Sequence, residues 1–459
     1  MYKIDFTHPC HIHFIGIGGI SMSGLALILH ENGFTVSGSD MNESAITDQL
    51  EKSGIRIIYG QKAENITPDI DIIVYTAAIH KDNPEYKAAE ASGRPLMPRA
   101  ALLGQIMALY PDSIAVSGTH GKTTTTSMIS NILLAADMDP TVSVGGMLSS
   151  IGGNIRVGHS DNFVAEACEY SNSFLQFFPH IELILNIEED HLDFFKDIND
   201  IRASFRKFAL KVGKDDVLII NRDIDRFEEI AGGLPGRVIT FSIDNSEAEY
   251  TAGDISFDDF ARGSFELIVR GRRLGRLNLG VSGRHNIGNA LAACAAAQVL
   301  NIPFETIKKG LASFTGTDRR FEHKGSFQGV TVIDDYAHHP TEIRATLTAA
   351  RHCPHKDLWC VFQPHTYSRT RAFLSDFADA LALADKVVLA DIYAAREKDP
   401  GDISSRDILR LLREKGKEAW YFPAFDEIED FLKKNCAEGD LLITMGAGNV
   451  VSIGEDLVK

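Results

Sequence analysis

The stretch of residues 112–136, DSIAVSGTHGKTTTTSMISNILLAA, most constrains what this chain can fold into. An apolar segment is followed by two glycines, a lysine, four threonines and an uninterrupted helical pattern. This order predicts a strand, a turn over residues 118–121 and a helix that begins near Lys122. The free backbone N–H groups of such a turn, together with the helix dipole, point at one place and favour an anion there.

The turn is typical of a variant phosphate-binding loop. The usual pattern G-x-x-x-x-G-K-[ST] needs a glycine where Val116 stands, so the turn is shortened here. We expect the ammonium of Lys122 to contact the β- and γ-phosphates, and the hydroxyl of Thr123 or Thr124 to bind Mg²⁺. A plain strand–turn–helix corner is the alternative, but it does not require these residue types at these offsets. The residues expected to bind the nucleotide in this stretch are Gly118, Thr119, His120, Gly121, Lys122, Thr123 and Thr124.

The length and net charge of the chain limit the classes of protein to which it can belong. A chain of 459 residues exceeds what one hydrophobic core usually serves, so two or three domains are expected. The net charge of -17 excludes long-range attraction to nucleic acid or to an anionic membrane. Six cysteines without a CxxC pair indicate neither a disulfide framework nor a zinc ribbon. The start lacks a signal-peptide pattern and no apolar run reaches membrane-spanning length, so we expect a cytoplasmic protein without membrane insertion.

A second glycine turn lies near the N-terminus. Residues 11–17 indicate a buried strand, the turn GIGGIS follows, and a helix extends to His30. A second strand over residues 34–38 leads to Asp40. This is nearly the dinucleotide-binding pattern, except that Ser21 stands where the third glycine belongs. The turn is therefore compatible with NAD or FAD, but another diphosphate is favoured.

Polar groups follow two apolar strands of the middle region. Glu169 comes directly after one of them, and His191 closely follows the other. Since the carboxyl ends of parallel strands share one edge of a sheet, both side chains should converge on the Lys122 turn and serve a metal ion. Either residue alone is more often a cap or a solvated group. Asn286 precedes an alanine-rich helix and could cap it or contact a base; spacing alone favours the cap.

From residue 317 onward the chain alternates strands and helices again. Strand ends carry the runs DDYAHHP and QPHTYSRTR, and the last strand leads into the glycine turn GAGN. Histidines, arginines and a tyrosine at one sheet edge indicate a site for an anion and an amine. A zinc cluster is the less favoured alternative, because His338 and His339 are adjacent and point apart.

Taken together, the motifs GIGGISMSGLA, SGTHGKTTTT, EACEYSNSF, NIEEDHLD, SGRHNIGNALAA, GTDRRFEHKG, DDYAHHPTEI and FQPHTYSRTR resemble, in this order, those of the Mur ligases. The resemblance covers nearly the whole chain. It implies a three-domain α/β protein: an N-terminal Rossmann-like domain for the UDP group (1–105), a central P-loop ATPase-type domain with a mixed sheet (106–316), and a C-terminal Rossmann-like domain that closes over both (317–459).

The resemblance also assigns site residues. The nucleotide contacts beyond the turn are Asn286, Arg319 and Asp335, and the metal ligands are Thr123, Glu169 and His191. The turn under the UDP diphosphate comprises Gly16, Gly18, Gly19, Ser21, Met22 and Ser23, with Asp40 near the uridine. The residues around the alanine and the lactyl carboxylate are Tyr336, His338, His365 and Arg369. Thr366 departs from the arginine of many relatives, and Lys207 lies in the region where sister ligases carry a carbamoylated lysine.

The implied activity is ATP- and Mg²⁺-dependent ligation of L-alanine to the lactyl carboxylate of UDP-N-acetylmuramate through an acyl phosphate, for peptidoglycan precursor synthesis. Lys122 and Arg319 would offset the developing charge, and His338 would accept the proton of the amine. We expect a monomer or weak homodimer that is open without ligands, with hinges near Gln105 and Gly316. The alternatives are a ligase that recycles a peptide onto the same sugar, a nicotinamide oxidoreductase and a nonenzymatic nucleotide sensor.

Overall fold

The computed structural model describes residues 2–76, 78–395 and 397–459. Three β-sheets follow one another along the chain, and helices connect their strands. This confirms the three-part α/β architecture expected from the sequence. The boundaries at 105/106 and 316/317 stay predictions. Over the described residues, no helix combines the length and the apolar character needed to cross a membrane.

The N-terminal sheet has five parallel strands in the order β3-β2-β1-β4-β5. Its strands are β1 (His11–Ile15), β2 (Thr35–Asp40), β3 (Arg56–Tyr59), β4 (Ile72–Tyr75) and β5 (Leu96–Pro98). Its helices are α1 (Ile20–Glu31), α2 (Ala45–Lys52), α3 (Pro84–Ala91) and α4 (Arg99–Met107), with a short 3₁₀ turn at Ala63–Asn65. The strand order reverses between β1 and β4, and ligands of such sheets bind at that point.

The middle sheet has ten strands in the order β15-β14-β13-β12-β11-β10-β6-β9-β7-β8. They are β6 (Asp112–Ser117), β7 (Thr141–Leu148), β8 (Gly153–Arg156), β9 (Asn162–Glu166), β10 (Ile181–Ile184), β11 (Val217–Asn221), β12 (Arg237–Ser242), β13 (Tyr250–Phe257), β14 (Arg262–Val269) and β15 (Arg272–Ser282). In this spatial order, each strand from β13 to β7 is parallel to the next one. Strands β14 and β15 at one edge and β8 at the other pair antiparallel. The sheet is therefore mixed, as predicted.

Helices pack closely around the phosphate-loop helix of this sheet. The helices are α5 (Lys122–Ala135), α6 (Ile198–Ala209), α7 (Phe227–Ala231), α8 (His285–Val299) and α9 (Phe304–Ser313), with 3₁₀ segments at Ser149–Ile151 and Tyr170–Gln176. The alanines of α8 are buried, and a side chain at Gly310 of α9 would come within 2.6 Å of Ile132 Cα in α5. Small residues thus let both helices approach α5 and fix its position.

The C-terminal sheet has six strands in the order β16-β17-β21-β18-β19-β20, with β16 antiparallel and the rest parallel. They are β16 (Glu322–Phe327), β17 (Val330–Asp335), β18 (Leu358–Phe362), β19 (Lys386–Leu389), β20 (Glu418–Tyr421) and β21 (Leu441–Met445). The helices are α10 (Pro340–Ala350), α11 (Tyr367–Ala372), α12 (Leu374–Leu381), α13 (Ser405–Glu414), α14 (Phe425–Asn435) and α15 (Val451–Leu457). The carboxyl ends of β17 and β18 carry the predicted histidine runs.

Candidate active site

The loop between β6 and α5 requires its two glycines. Gly118 and Gly121 have φ angles of +138° and +84°, which disfavour any residue with a side chain. A Cβ at Gly121 would also lie 2.6 Å from Asn289 Oδ1. Asn186, just after β10, holds the loop: its Oδ1 accepts a hydrogen bond from His120 N at 2.7 Å, and its Nδ2 donates to His120 O at 2.9 Å. The sequence analysis missed Asn186, although it follows an apolar strand.

The first residue of α5 turns its ammonium back over the loop. Lys122 Nζ donates to Thr119 O at 3.0 Å, to Gly118 O, and to Glu169 Oε2 at 3.0 Å. Burial lowers the pKa of Lys122, but the Glu169 carboxylate outweighs burial and raises the pKa above its usual value. The side chain of Glu169 is only 3% exposed. The structure therefore brings together the predicted phosphate-loop cation and the first predicted metal ligand as a buried ion pair.

His191 joins the same cluster from the loop after β10. Its Nε2 lies 3.7 Å from Glu169 Oε1, and its ring packs against Tyr170 with the ring centroids 4.7 Å apart. Burial lowers the pKa of His191, so the imidazole is neutral at physiological pH and able to bind a cation. Thr123 occupies the next position of α5 after Lys122. The predicted convergence of Glu169 and His191 beside the loop is thus observed.

A second group of possible ligands was not predicted. His120, Glu188 and His339 offer ligand atoms that lie within 4.8 Å of one another. His120 Nδ1 is 3.2 Å from Glu342 Oε1, and its Nε2 is 3.6 Å from Glu188 Oε2. Burial lowers the pKa of His120, but Glu342 and Glu188 outweigh it and raise the pKa to about 9. A protonated imidazole cannot bind a metal, so this group is better described as an ion cluster.

Glu342 connects the C-terminal sheet to the phosphate loop. It lies in the first turn of α10, where its Oε2 accepts from His338 N at 3.1 Å and from His339 N at 3.3 Å. Its Oε1 faces His120 of the loop. One carboxylate therefore contacts both the nucleotide loop and the histidine run of the C-terminal sheet. The sequence analysis did not single out Glu342, because only the fold brings its partner His120 close to it.

The segment after β10 is held by the C-terminal region at two further points. Thr341 Oγ1 donates to Glu188 Oε2 at 2.6 Å. Arg369 donates to Asp190 Oδ1 from Nη2 at 2.7 Å and from Nε at 3.1 Å, and both side chains are at least nine-tenths buried. Burial raises the pKa of Asp190, but Arg369 outweighs it and holds the pKa well below its usual range. The structure thus describes a closed arrangement; the expectation of an open form without ligands stays a prediction.

A cavity of about 300 Å³ lies between the middle and C-terminal sheets and borders the loop. Asn286 reaches it from the start of α8, where its Oδ1 accepts from Asn289 Nδ2 at 2.8 Å. Asp335 lines the opposite wall, and burial raises the pKa of its carboxyl to about 6. The predicted nucleotide residues Gly121, Thr124, Asn286 and Asp335 therefore share one cavity that has the position expected for ATP.

Arg319 and the adjacent Arg320 face different surroundings. Its Nε donates to Asp334 Oδ2 at 3.0 Å, and its Nη2 and Nη1 donate to Gly446 O and Gly448 O at 2.6 Å and 3.0 Å. All these partners belong to the C-terminal region, and Arg320, not Arg319, lines the cavity. The predicted nucleotide contact of Arg319 stays a prediction, and Arg320 is a cavity residue that the sequence analysis missed.

The residues predicted to surround the amine lie together at the edge of the C-terminal sheet. His338 Nδ1 is 3.0 Å from Tyr336 O, and the rings of His338 and His365 are 5.6 Å apart. Arg369 Nη1 is 3.0 Å from His365 Nδ1. Burial lowers the pKa of His338 to about 4, so the imidazole is neutral at physiological pH. Thr366 has a left-handed φ of +67° and caps α11.

The N-terminal turn is held by hydrogen bonds to the end of β2. Gly16 has a φ of +84° and its N–H donates to Ser39 O at 2.8 Å, while Gly18 N donates to Asp40 Oδ2 at 2.9 Å. A Cβ at Gly18 would lie 2.8 Å from the same Asp40 oxygen. Gly19, Ser21, Met22 and Ser23 form the start of α1. The Asp40 carboxylate thus fixes the turn, and its predicted contact with a uridine stays a prediction.

Comparison with known proteins identifies the family. Family models match three successive parts of the chain: the Mur ligase catalytic domain at residues 11–111, the Mur ligase middle domain at 116–297 and the Mur ligase glutamate ligase domain at 319–448. A UDP-N-acetylmuramate--L-alanine ligase of Agathobacter rectalis is 63% identical over 459 residues and covers all of both chains. The chain belongs to the Mur ligase family. The resemblance found in its motifs is confirmed.

Other relatives support the same family assignment for this Mur ligase. The UDP-N-acetylmuramate--L-alanine ligase of Lachnospira eligens is 59% identical, with full coverage of both chains. The crystal structure of UDP-N-acetylmuramate-alanine ligase from Thermotoga maritima matches with a TM-score of 0.81 at 30% identity, and a murein peptide ligase from Psychrobacter arcticus with 0.71 at 25%. Both matches cover 98% of each chain. Mur ligases use ATP, which agrees with the phosphate loop described above.

The His120–Glu342 contact predicts that closure depends on pH. In the closed arrangement the pKa of His120 is about 9, whereas an opened form that loses Glu342 has a lower pKa. The contact therefore stabilises closure fully below the pKa of the opened form and is lost as pH rises through about 9. Energy transfer between labels on the middle and C-terminal domains should fall over that range. Glu342→Gln should flatten this response; an equally steep response in that variant would contradict the assignment.

Proposed function

We propose that this Mur ligase joins L-alanine to the lactyl carboxylate of UDP-N-acetylmuramate, with ATP converted to ADP and phosphate. The observation that carries the proposal is the cluster of Lys122, Glu169 and His191 at the phosphate loop, together with the contact between His120 of this loop and Glu342 of the C-terminal region. The names of relatives that span the whole chain support the choice of substrates. Synthesis of a peptidoglycan precursor is the corresponding cellular role.

The proposed chemistry has two steps. A carboxylate acylates amines poorly, so one of its oxygens first attacks the γ-phosphorus of ATP; ADP leaves and an acyl phosphate forms. The neutral amine of alanine then attacks the acyl carbon, phosphate leaves, and the amine loses a proton. Both steps gather negative charge beside the loop. The ammonium of Lys122, held by the loop carbonyls of Gly118 and Thr119, is positioned to offset that charge.

The residues present fit a magnesium ion. The Glu169 carboxylate and the neutral His191 imidazole lie 3.7 Å apart, and Thr123, the second residue of α5, would add a hydroxyl oxygen. Carboxylate and hydroxyl oxygens suit Mg²⁺, which usually binds through one or two carboxylates and the phosphates of its nucleotide. The bound ion would neutralise charge on the phosphates. Lys122 and the ion would then share the region that the Lys122–Glu169 pair occupies in this structure.

His338 is the proposed acceptor of the amine proton. Its Nδ1 lies 3.0 Å from Tyr336 O, a carbonyl that can only accept, so the ring proton is placed on Nδ1 and the lone pair on Nε2. The low pKa keeps the ring unprotonated, with this lone pair available. Tyr336, His365 and Arg369 surround the ring and complete the proposed alanine pocket.

The remaining expectations belong to the same proposal. We place the enzyme in the cytoplasm as a monomer or weak homodimer. Each of the six cysteines is free in the structure, in agreement with a reducing compartment. A murein peptide ligase is the second candidate, because one such enzyme has the same fold over 98% of this chain.

The choice of acceptor tests the proposed function. ADP formation should require UDP-N-acetylmuramate and should be fastest with L-alanine, slower with glycine and L-serine, and absent with a tripeptide, as the names of the full-length relatives imply. A coupled ADP assay with each acceptor measures this. Preference for the tripeptide would replace the proposal by the murein peptide ligase, and ADP formation without the sugar nucleotide would contradict both.

Removal of Glu169 tests the metal site. Glu169→Gln should lower kcat on the order of 100-fold or more and raise the Mg²⁺ concentration needed for half-maximal rate, because a charged ligand is lost. Glu189→Gln is the matched control, since that neighbouring side chain is exposed. Titrations of activity with Mg²⁺ measure both variants. Equal Mg²⁺ dependence in wild type and Glu169→Gln would show that Glu169 does not bind the metal.

Replacement of His338 tests the proposed base. His338→Gln should lower kcat about 10²- to 10⁴-fold while the Kd of an ATP analogue stays nearly unchanged. His323→Gln, at an exposed histidine of the same domain, should behave as wild type. Rapid-quench kinetics should show that the variant still forms acyl phosphate but consumes it slowly. If both steps proceed at wild-type rates, His338 is not the base.

A further inference from the structure

Arg99 differs in its partners from Arg319 and Arg369, the arginines assigned to the proposed sites. It is the first residue of α4, and its Nη1 donates to Ser21 Oγ at 2.6 Å. Within the described ranges, no carboxylate lies within ion-pair distance of its guanidinium, whereas Arg369 is paired with Asp190 and Arg319 with Asp334. Lys122 is likewise paired with Glu169. Unlike these three residues, Arg99 has no carboxylate partner in the described part of the chain.

An unpaired guanidinium beside a proposed ligand site is expected to bind an anion. Arg99 is half-buried, and burial lowers its pKa while the nearby Cys168 thiol raises it. Even partial removal of a charge from water is costly, and an opposite charge offsets that cost. A chain with 63 acidic residues could readily have supplied a partner. The counter-ion of Arg99 is therefore expected to come from a ligand.

The position of Arg99 indicates which anion this is. On one side it touches Ser21, at the start of α1, in the turn assigned to the diphosphate. Cys168, whose thiol is near the guanidinium, immediately precedes Glu169, the proposed metal ligand. Helix α4 packs tightly on the segment after Glu169: a Cβ at Gly104 would lie 2.0 Å from Gln176 O. Arg99 thus borders the proposed sugar-nucleotide turn, and its helix packs on the segment that follows the proposed metal ligand Glu169.

We propose that Arg99 binds the lactyl carboxylate of the sugar nucleotide and directs it toward the Lys122–Glu169 site. The inference rests on the proposed function. The N-terminus of α1 offers its dipole to the diphosphate, which leaves the guanidinium for the second anionic group of the same ligand. The planar fork of arginine matches the two oxygens of a carboxylate. Arg369, which the resemblance assigned to this region, is already held by two hydrogen bonds to Asp190.

A comparison of two sugar nucleotides distinguishes binding of the carboxylate from binding of the diphosphate. UDP-N-acetylmuramate carries both, whereas UDP-N-acetylglucosamine has the same diphosphate but lacks the lactyl group. Titration calorimetry with the full chain should show that Arg99→Ala weakens binding of UDP-N-acetylmuramate about 10- to 100-fold and binding of UDP-N-acetylglucosamine less than about threefold. Arg99→Lys, which keeps the charge without the fork, should retain part of the selectivity.

The matched control is Arg94→Ala, which removes an arginine of the same domain whose Nη2 donates to Pro68 O at 3.1 Å. It should leave both affinities unchanged. Binding of an ATP analogue to each variant reports whether the middle domain is intact. Equal losses for the two sugar nucleotides in Arg99→Ala would show that Arg99 serves the diphosphate, and unchanged affinities would show that it is structural; either result overturns the inference.

The inference and the proposed function fail in different ways. If the wild-type enzyme forms no ADP with UDP-N-acetylmuramate and L-alanine, the proposed function is wrong, and the assignment of Arg99 falls with it. If the wild-type enzyme is active and selects UDP-N-acetylmuramate, but Arg99→Ala and Arg99→Lys keep that selection, only the assignment of Arg99 is wrong.

Discussion

The ion pair of Lys122 and Glu169 sets the conditions for ligand binding at the phosphate loop. Their side chains are 15% and 3% exposed, and the ammonium lies 3.0 Å from the carboxylate. Removing one partner from such a pair leaves an uncompensated buried charge, at a cost of about 3–5 kcal/mol. A ligand that draws Lys122 away must therefore bring an anion for Lys122 and a cation for Glu169. The magnesium nucleotide proposed above would supply both.

Pairs of opposite charges also connect the C-terminal domain to the middle domain. His120 and Glu342 join the loop to α10, and Asp190 and Arg369 join the neighbouring segment to α11. These contacts place opposite charges in different domains, so the proposed ATP site and the proposed alanine site are complete only when the domains meet. Closure then excludes water from a reaction whose acyl phosphate intermediate is readily hydrolysed. The coupling is carried by few residues, and Glu342 touches both sites.

The sequence predicted most of what depends on local pattern. The glycine positions predicted both turns. Because the carboxyl ends of parallel strands lie at one edge of a sheet, Glu169 and His191 were expected near Lys122, and β9 and β10 do flank β6. Contacts between domains were not predicted: His120 and Glu342 are 222 positions apart, and no local signal links them. Arg319 and Arg320 are adjacent in sequence but face different surroundings, since only the folded backbone decides where each guanidinium points.

The central claim is that the middle domain holds a magnesium triphosphate with its terminal phosphate facing the carboxylate of the sugar nucleotide. A crystal structure of the enzyme with a non-hydrolysable ATP analogue, Mg²⁺ and UDP-N-acetylmuramate tests it most directly. The account predicts phosphates along the loop that ends at Lys122, the ion bound by Glu169 and His191, and the carboxylate next to the γ-phosphate. A triphosphate bound elsewhere, or Glu169 and His191 turned away from the ion, would contradict it.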